Sequence, residues 1–252
     1  MAQPWFFLAD VPEDGVVTLD HREARHASGA RRLSVGDSVQ LFDGRGMLAV
    51  GELVSVSPRR VDVQITSHER LAPPARALHI ASSLPKGDRQ STMISMATQL
   101  GLTDFTPLMT ERTIVKPSGG FGERARRVSI EACKQCRCPF LPTIHEGADL
   151  ASAIDAAMAR GDLALFAHPT GIVFGELAQI LTSPAAAGRG ITMFFGPEGG
   201  FTDQEAATAA QAGVTTVSLG PTLLRVETAV VSLLAACALV LDDGRTRAEQ
   251  DL

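Results

Sequence analysis

The chain has 252 residues, 45% of them hydrophobic and 20% charged, with a formal net charge of −5. That length suits two domains better than one, and the apolar share excludes general disorder. The longest nearly apolar run, Thr228 to Leu241, is too short to span a membrane and is broken by Thr228 and Ser232, so a buried helix is expected there. Residues 1–10 carry a short apolar patch at Trp5 to Ala9 without a basic leader, so a soluble, cytoplasmic protein is expected.

From Trp5 to about Ser67 the grammar is that of short strands. Ser38-Val39-Gln40-Leu41-Phe42 and Val61-Asp62-Val63-Gln64-Ile65 alternate with period two, Met47 to Val56 is a third strand, and Gly36-Asp37 and Asp43-Gly44 are turn signals. Pieces of this length predict a small β-barrel. Leu71-Ala72-Pro73-Pro74-Ala75 reads as a linker, because paired prolines stop regular structure. The expected domains are therefore residues 1–72 and 73–252.

Beyond the linker, strands alternate with helices. Strands are expected at Ala77–Ala81, Phe105–Leu108, Leu163–Ala167, Ile191–Phe195 and Val214–Leu219. Helices are expected over Asp88–Leu100, Glu123–Cys136, Gly175–Leu181, from Thr202 to Ala212, and over Val226–Leu241. Thr202 with Glu205 three residues on is a capping box. This alternation predicts an α/β domain with a parallel sheet and ligands at the carboxyl ends of its strands.

Charge is unevenly spread. Residues 1–142 hold 18 of the 23 lysines and arginines against 15 acids, and residues 143–252 hold 5 against 13. The basic residues cluster at Arg22, Arg25, His26, Arg31 and Arg32, at Arg59 and Arg60, and at Arg124, Arg126, Arg127, Lys134 and Arg137. Such clusters suit a phosphate backbone, although solvated faces give the same pattern. Cys133, Cys136 and Cys138 sit close together, with His145 beyond them. They lack a second C-x-x-C pair, so reduced thiols and no metal are expected.

Two strand ends carry the chemistry. Phe195-Gly196-Pro197-Glu198-Gly199-Gly200-Phe201 lets backbone approach a ligand closely, but it is followed by no G-K-[ST] and forms no G-x-G-x-x-G, which excludes a P-loop and a dinucleotide fingerprint. Ser218-Leu219-Gly220-Pro221-Thr222-Leu223-Leu224-Arg225-Val226-Glu227-Thr228 places an arginine and a carboxylate at the mouth of an apolar helix. There they meet either a ligand or each other. Both loops are expected to leave adjacent strand ends and to line one pocket, with apolar walls and backbone polar groups, suited to an adenosine held by main-chain bonds.

These motifs resemble the ribosomal RNA small subunit methyltransferase E family. The likeness lies in Gly196-Pro197-Glu198-Gly199-Gly200, Leu219-Gly220-Pro221 and Leu224-Arg225-x-Glu227-Thr228-Ala229. It extends through Leu41-Phe42-Asp43-Gly44, Lys86-Gly87-Asp88-Arg89, Leu100-Gly101, Glu111-Arg112, Val115-Lys116 and Glu131-Ala132-Cys133-x-Gln135-Cys136. The chain departs from the family pattern at Met96, Gln99, Cys138, Thr222 and Val226. The resemblance implies a PUA-like RNA-binding barrel followed by a SPOUT α/β-knot methyltransferase domain with a trefoil knot. It also implies a homodimer and transfer of a methyl group from S-adenosylmethionine to N3 of a uridine in the decoding region of 16S ribosomal RNA. Cofactor contacts are then expected at His168, Pro169, Phe195, Gly196, Pro197, Glu198, Gly199, Gly200, Ser218, Leu219, Gly220, Leu223, Leu224 and Thr228. RNA contacts are expected at Arg25, His26, Arg31, Arg32, Lys86, Arg89, Arg112, Lys116, Arg124, Arg127 and Arg137. Uracil N3 is protonated at neutral pH, so the chemistry needs a base or a group that stabilises the developing anion. Arg225 is the candidate for the anion and Glu227 for the base or for orienting Arg225, with Glu198 a third candidate. The alternatives are another target nucleotide and a non-catalytic RNA-binding assembly factor.

Overall fold

The computed structural model describes residues 3–30 and 33–241 and divides into two compact units. Among the described residues, the first unit comprises residues 3–73 and 130–141, and the second residues 74–129 and 142–241.

The first unit is built on a five-stranded sheet. It contains β1 (Trp5–Phe7), β2 (Val16–Thr18), the short α1 (His21–Arg25) running into a wider turn at His26–Ala30, β3 (Ser38–Phe42), β4 (Met47–Val56) and β5 (Val61–Arg70). The strand order is β1-β3-β4-β5-β2, antiparallel except for the β1–β3 pair. The alternation seen in the sequence sends Val39, Leu41, Leu53, Val61 and Val63 into one core with Phe6. Asp20 starts α1 by accepting a hydrogen bond from the Glu23 N–H. A second, smaller core joins Trp5, Phe42 and Leu48 to Ile130 and Cys133. Gly44 and Gly46 make this contact possible, because a side chain at either would collide with Leu141 or Phe140.

The second unit follows in chain order. It contains β6 (Leu78–Ser82), α2 (Arg89–Gln99), β7 (Asp104–Met109), α3 (Phe121–Cys136), β8 (Thr143–Ile144), β9 (Ala148–Asp149), α4 (Leu150–Ala159), β10 (Leu163–Ile172), α5 (Phe174–Leu181), β11 (Ile191–Phe195), α6 (Asp203–Gln211), β12 (Thr215–Val217) and α7 (Val226–Val240). From Ile130 onward α3 is counted with the first unit. The strand order is β12-β10-β11-β6-β7-β8, with β9 also on β7, and every pair is parallel.

Both faces of this sheet are covered, as a parallel sheet requires. Leu78 and Ile80 of β6 and Ile191, Met193 and Phe195 of β11 point to one face, against α2, α5 and α7. Ala81, Phe166 and Phe194 point to the other, against α4 and α6. The apolar run from Val226 is the helix expected, buried along the face of Val226, Val230, Leu233, Leu234 and Cys237 and open at Leu239. No helix among the described residues is long and apolar enough to cross a membrane.

Three expectations change. β10 runs five residues further than expected, to Ile172, so His168 and Pro169 lie within a strand that shifts register against β12. α4 was not foreseen: its stretch is half alanine, which weakens the apolar period, and it is recognisable mainly by Asp149 capping Ser152 N–H. β12 shrinks to Thr215–Val217.

Candidate functional site

The strand order corrects one premise. The loops after β11 and β12 do not leave adjacent strands, because β10 lies between them. Two inter-strand steps separate the loops by roughly 10 Å, a gap wide enough for a flat ring system. β10, with His168 and Pro169 in its second half, lies between the two loops in the strand order.

The loop after β11 is held from several sides. Its entry is fixed where Ser83 N–H bonds the Phe195 carbonyl at 2.9 Å. Pro197 is buried, and its carbonyl accepts the Gly200 N–H at 2.8 Å, closing a tight turn. Gly200 has φ +70°, a conformation that disfavours any side chain. Gly196 faces the ring of Phe201, which stacks on Phe166 with centroids 4.1 Å apart. Thr202 and Glu205 form the expected capping box and start α6.

The loop after β12 begins where Ser218 N–H bonds the Ile172 carbonyl at 2.9 Å. Gly220 has φ +110°. Leu223 is 92% exposed and Leu224 half-buried. Arg225 then serves as N-cap of α7 through its extended backbone, without a side-chain cap bond.

Of the two alternatives for Arg225 and Glu227, a ligand or each other, the structure does not hold the mutual pair. Arg89, at the start of α2, takes Glu227 instead, with Nη1 3.5 Å from Oε1. Arg89 also stands 3.8 Å from Glu198 Oε1. Arg225 is exposed and has no side-chain partner among the described residues. Glu227 is 14% exposed at its side chain, and its second oxygen is buried without a partner. A buried carboxylate oxygen left unpaired is costly unless something arrives to satisfy it.

The other expected residues are spread out. His168 Nδ1 contacts Thr170 Oγ1 at 2.9 Å, and Thr228 is exposed. Lys86 and Lys116 are exposed. Arg124 bonds Ser118 Oγ, and Arg127 lies exposed on the same helix. Arg137 adopts φ 56° just past the end of α3. Arg112 is tied to backbone carbonyls of the glycine-rich loop, at 2.8 Å to Gly199 and 3.3 Å to Phe201. Sequence reasoning missed this tie, since nothing in the spacing of residues 112 and 199 announces it. Arg31 and Arg32 lie outside the described residues.

Arg25 and His26 line a groove of about 490 Å³ in the first unit, together with His21, Arg22, Glu23, Glu131 and Lys134. Lys134, counted with the basic clusters, is buried and committed to Glu23 and Glu131 at 2.9 and 3.0 Å. Burial pushes the Glu23 carboxyl above its ordinary range, and Lys134 partly offsets that. The cysteine cluster forms no metal-holding group among the described residues.

The profile of a family described as an RNA methyltransferase domain matches residues 72–238, and that of an RNA methyltransferase PUA domain matches residues 19–66. A protein of Synechocystis, described as ribosomal RNA small subunit methyltransferase E, is 30% identical over 231 residues. The match covers 91% of this chain and 75% of the relative. The chain belongs to the ribosomal RNA small subunit methyltransferase E family. A member from Bacillus subtilis is 28% identical, with 90% of this chain and 91% of the relative covered. The crystal structure of the Neisseria gonorrhoeae member, bound to S-adenosyl methionine, superposes with a TM-score of 0.83 at 26% identity, covering 94% of this chain and 98% of that one. Family membership carries with it the N-terminal PUA domain and the methyltransferase domain. The five-stranded unit and the parallel-sheet unit are the corresponding parts of this chain.

Proposed function

We propose that this chain transfers a methyl group from S-adenosylmethionine to N3 of a uridine in the decoding region of small-subunit ribosomal RNA, as a cytoplasmic homodimer. One observation carries the reading. At the mouth of α7, Arg225 reaches solvent unpaired, while Glu227, two residues on, keeps a buried oxygen without a partner.

The crevice suits the cofactor. Turns at Gly200 and Gly220 expose main-chain groups on either side of β10, and the buried Phe195 and Pro197 give an apolar floor. Main-chain groups of Gly196 to Gly200 and Ser218 to Gly220 would hold it, with His168 and Pro169 between. When bound, it supplies a sulfonium-activated methyl group. The protein's own residues do the rest. Glu227 takes the proton from uracil N3, and Arg225 lends positive charge to the ring oxygen on which negative charge gathers. Arg89 holds the carboxylate in place. The target base must leave its stack to reach these groups. Arg25, His26, Arg124 and Arg127 would attract the RNA backbone.

The homodimer and the trefoil knot belong to the same reading. Leu239 on α7 is 78% exposed and Met96 on α2 is 43% exposed, on helices that pack together, which supports a partner surface there. The test is to incubate the protein with labelled S-adenosylmethionine and small subunits lacking the modification, then identify the labelled nucleoside by mass spectrometry. 3-Methyluridine is expected, and label on any other nucleoside overturns the choice of atom or target.

A further inference from the structure

Arg112 lies in the loop that follows β7, outside the two motif loops. It is exposed, and in an RNA-modifying protein an exposed arginine invites assignment to the RNA backbone. Its geometry points elsewhere. Nη1 donates to the Gly199 carbonyl at 2.8 Å and to the Phe201 carbonyl at 3.3 Å. The stem of the side chain runs along Gly199, where an added Cβ would meet Arg112 Cδ at 3.5 Å. Next to it, Glu111 N–H donates to Glu205 Oε1 at 2.9 Å. The other oxygen of Glu205 accepts the Thr202 N–H at 2.8 Å as half of the capping box. Residues 111 and 112 therefore hold both the glycine-rich turn and the first turn of α6. Their own loop is braced in turn, since Thr113 Oγ1 accepts the Thr110 N–H at 2.8 Å and lies 3.4 Å from Ser83 Oγ.

We infer that Arg112 is a positioning residue for the cofactor loop rather than an RNA contact, holding Gly199 to Phe201 in their binding shape before any ligand arrives. The inference rests on the cofactor reading of that loop given above. A segment with three glycines in five positions has many conformations open to it, and a ligand that must order it binds more weakly. Two charge-assisted bonds from one rigid side chain remove much of that freedom in advance. Lysine retains the charge but is one bond shorter and lacks the planar group that fixes the direction of the donors.

Arg112→Lys and Arg112→Ala are the test variants; both replace an exposed side chain, so the fold should be retained. Titration calorimetry with S-adenosylmethionine should show about ten-fold weaker binding in both, because the ligand must then order the loop itself. The cofactor KM should rise to match, while kcat at saturating cofactor stays within about two-fold. Binding of a small-subunit RNA fragment by Arg112→Lys should equal that of the unaltered protein. Hydrogen exchange without ligand should be faster across residues 196–202 in both variants. If Arg112→Lys binds the cofactor and exchanges like the unaltered protein, charge alone suffices and the inference is wrong. If RNA binding falls in Arg112→Ala, is restored in Arg112→Lys, and cofactor affinity never moves, Arg112 is an RNA contact. If the unaltered protein fails to bind S-adenosylmethionine, the cofactor reading of the site falls, while exchange over 196–202 still decides whether Arg112 shapes the loop.

Discussion

Arg225 and Glu227 are two residues apart yet have different environments. One is solvated and unpaired; the other is largely buried, with Arg89 on one oxygen and nothing on the second. A group that only caps a helix would not need a free guanidinium, and a group that only stabilises the fold would not leave a carboxylate oxygen unsatisfied. Arg225→Ala is expected to lower methyl transfer by roughly 100-fold or more, the usual cost of removing a preorganised charge from a developing anion. Cofactor affinity should stay within about two-fold, because Arg225 makes no cofactor contact in this reading. Paired measurement of transfer rate and calorimetric affinity decides it; full activity in Arg225→Ala would remove the residue from the mechanism. Glu227→Gln keeps the shape and removes the proposed base, so its rate should also fall, with affinity for RNA unchanged.

At the scale of elements, the crevice depends on how closely β10 and β12 approach. Gly171 sits where a Cβ would run into the backbone of Thr216 and Val217. Gly171→Ala should cost about 1–3 kcal/mol, read as a lower urea midpoint, because backbone cannot yield as a side-chain tip can. Thr202→Ala, which removes the cap of α6, should cost about 1 kcal/mol by the same measurement. The cap was legible in the sequence, since a hydroxyl followed three residues later by glutamate is a local signature. The strands β6, β7 and β11 and the long α3 and α7 were legible for the same reason, their periods being carried by their own residues. The position of β10 between the two loops was not legible, because strand order is decided by packing between distant segments. Arg89 pairing with Glu227 was hidden likewise, as 138 positions separate them. The two glycine-containing loops could be named from sequence, whereas the partners that hold them needed the fold.

At the scale of the molecule, pH should act through a polar cluster at the amino-terminal edge of the parallel sheet. His79 of β6 is 8% exposed; its Nδ1 faces Arg160 Nη2 at 3.0 Å and its Nε2 faces Thr106 Oγ1 at 2.8 Å. Arginine can only donate, so Nδ1 accepts and the ring proton sits on Nε2. Arg160 and Thr192 both bond the Asp162 carboxylate, at 2.9 and 2.7 Å. Burial first, and the Arg160 charge second, lower the His79 pKa from 6.5 to about 4. The unfolded chain therefore binds the proton more readily than the native one. The contribution of the neutral ring is complete above pH 6.5 and is lost as pH falls toward 4. Urea midpoints should drop between pH 7 and pH 5, and His79→Gln should flatten that slope; an unchanged slope would assign the acid sensitivity elsewhere. Thiol chemistry should also be selective. Burial pushes Cys237 up to about 12, so an alkylating reagent should find the exposed Cys136 and leave Cys237 intact in the native protein.

The unit built on the five-stranded sheet is discontinuous along the chain: its smaller core takes Ile130 and Cys133 from the end of α3 and is flanked by Leu141. As a matter of heredity, that unit is not a cassette. A crossover that brought residues 1–73 alone into another gene would leave behind half of an apolar seam, and the recipient would inherit a sheet with a bare flank. The first unit can be exchanged between lineages only with residues 130–141 included.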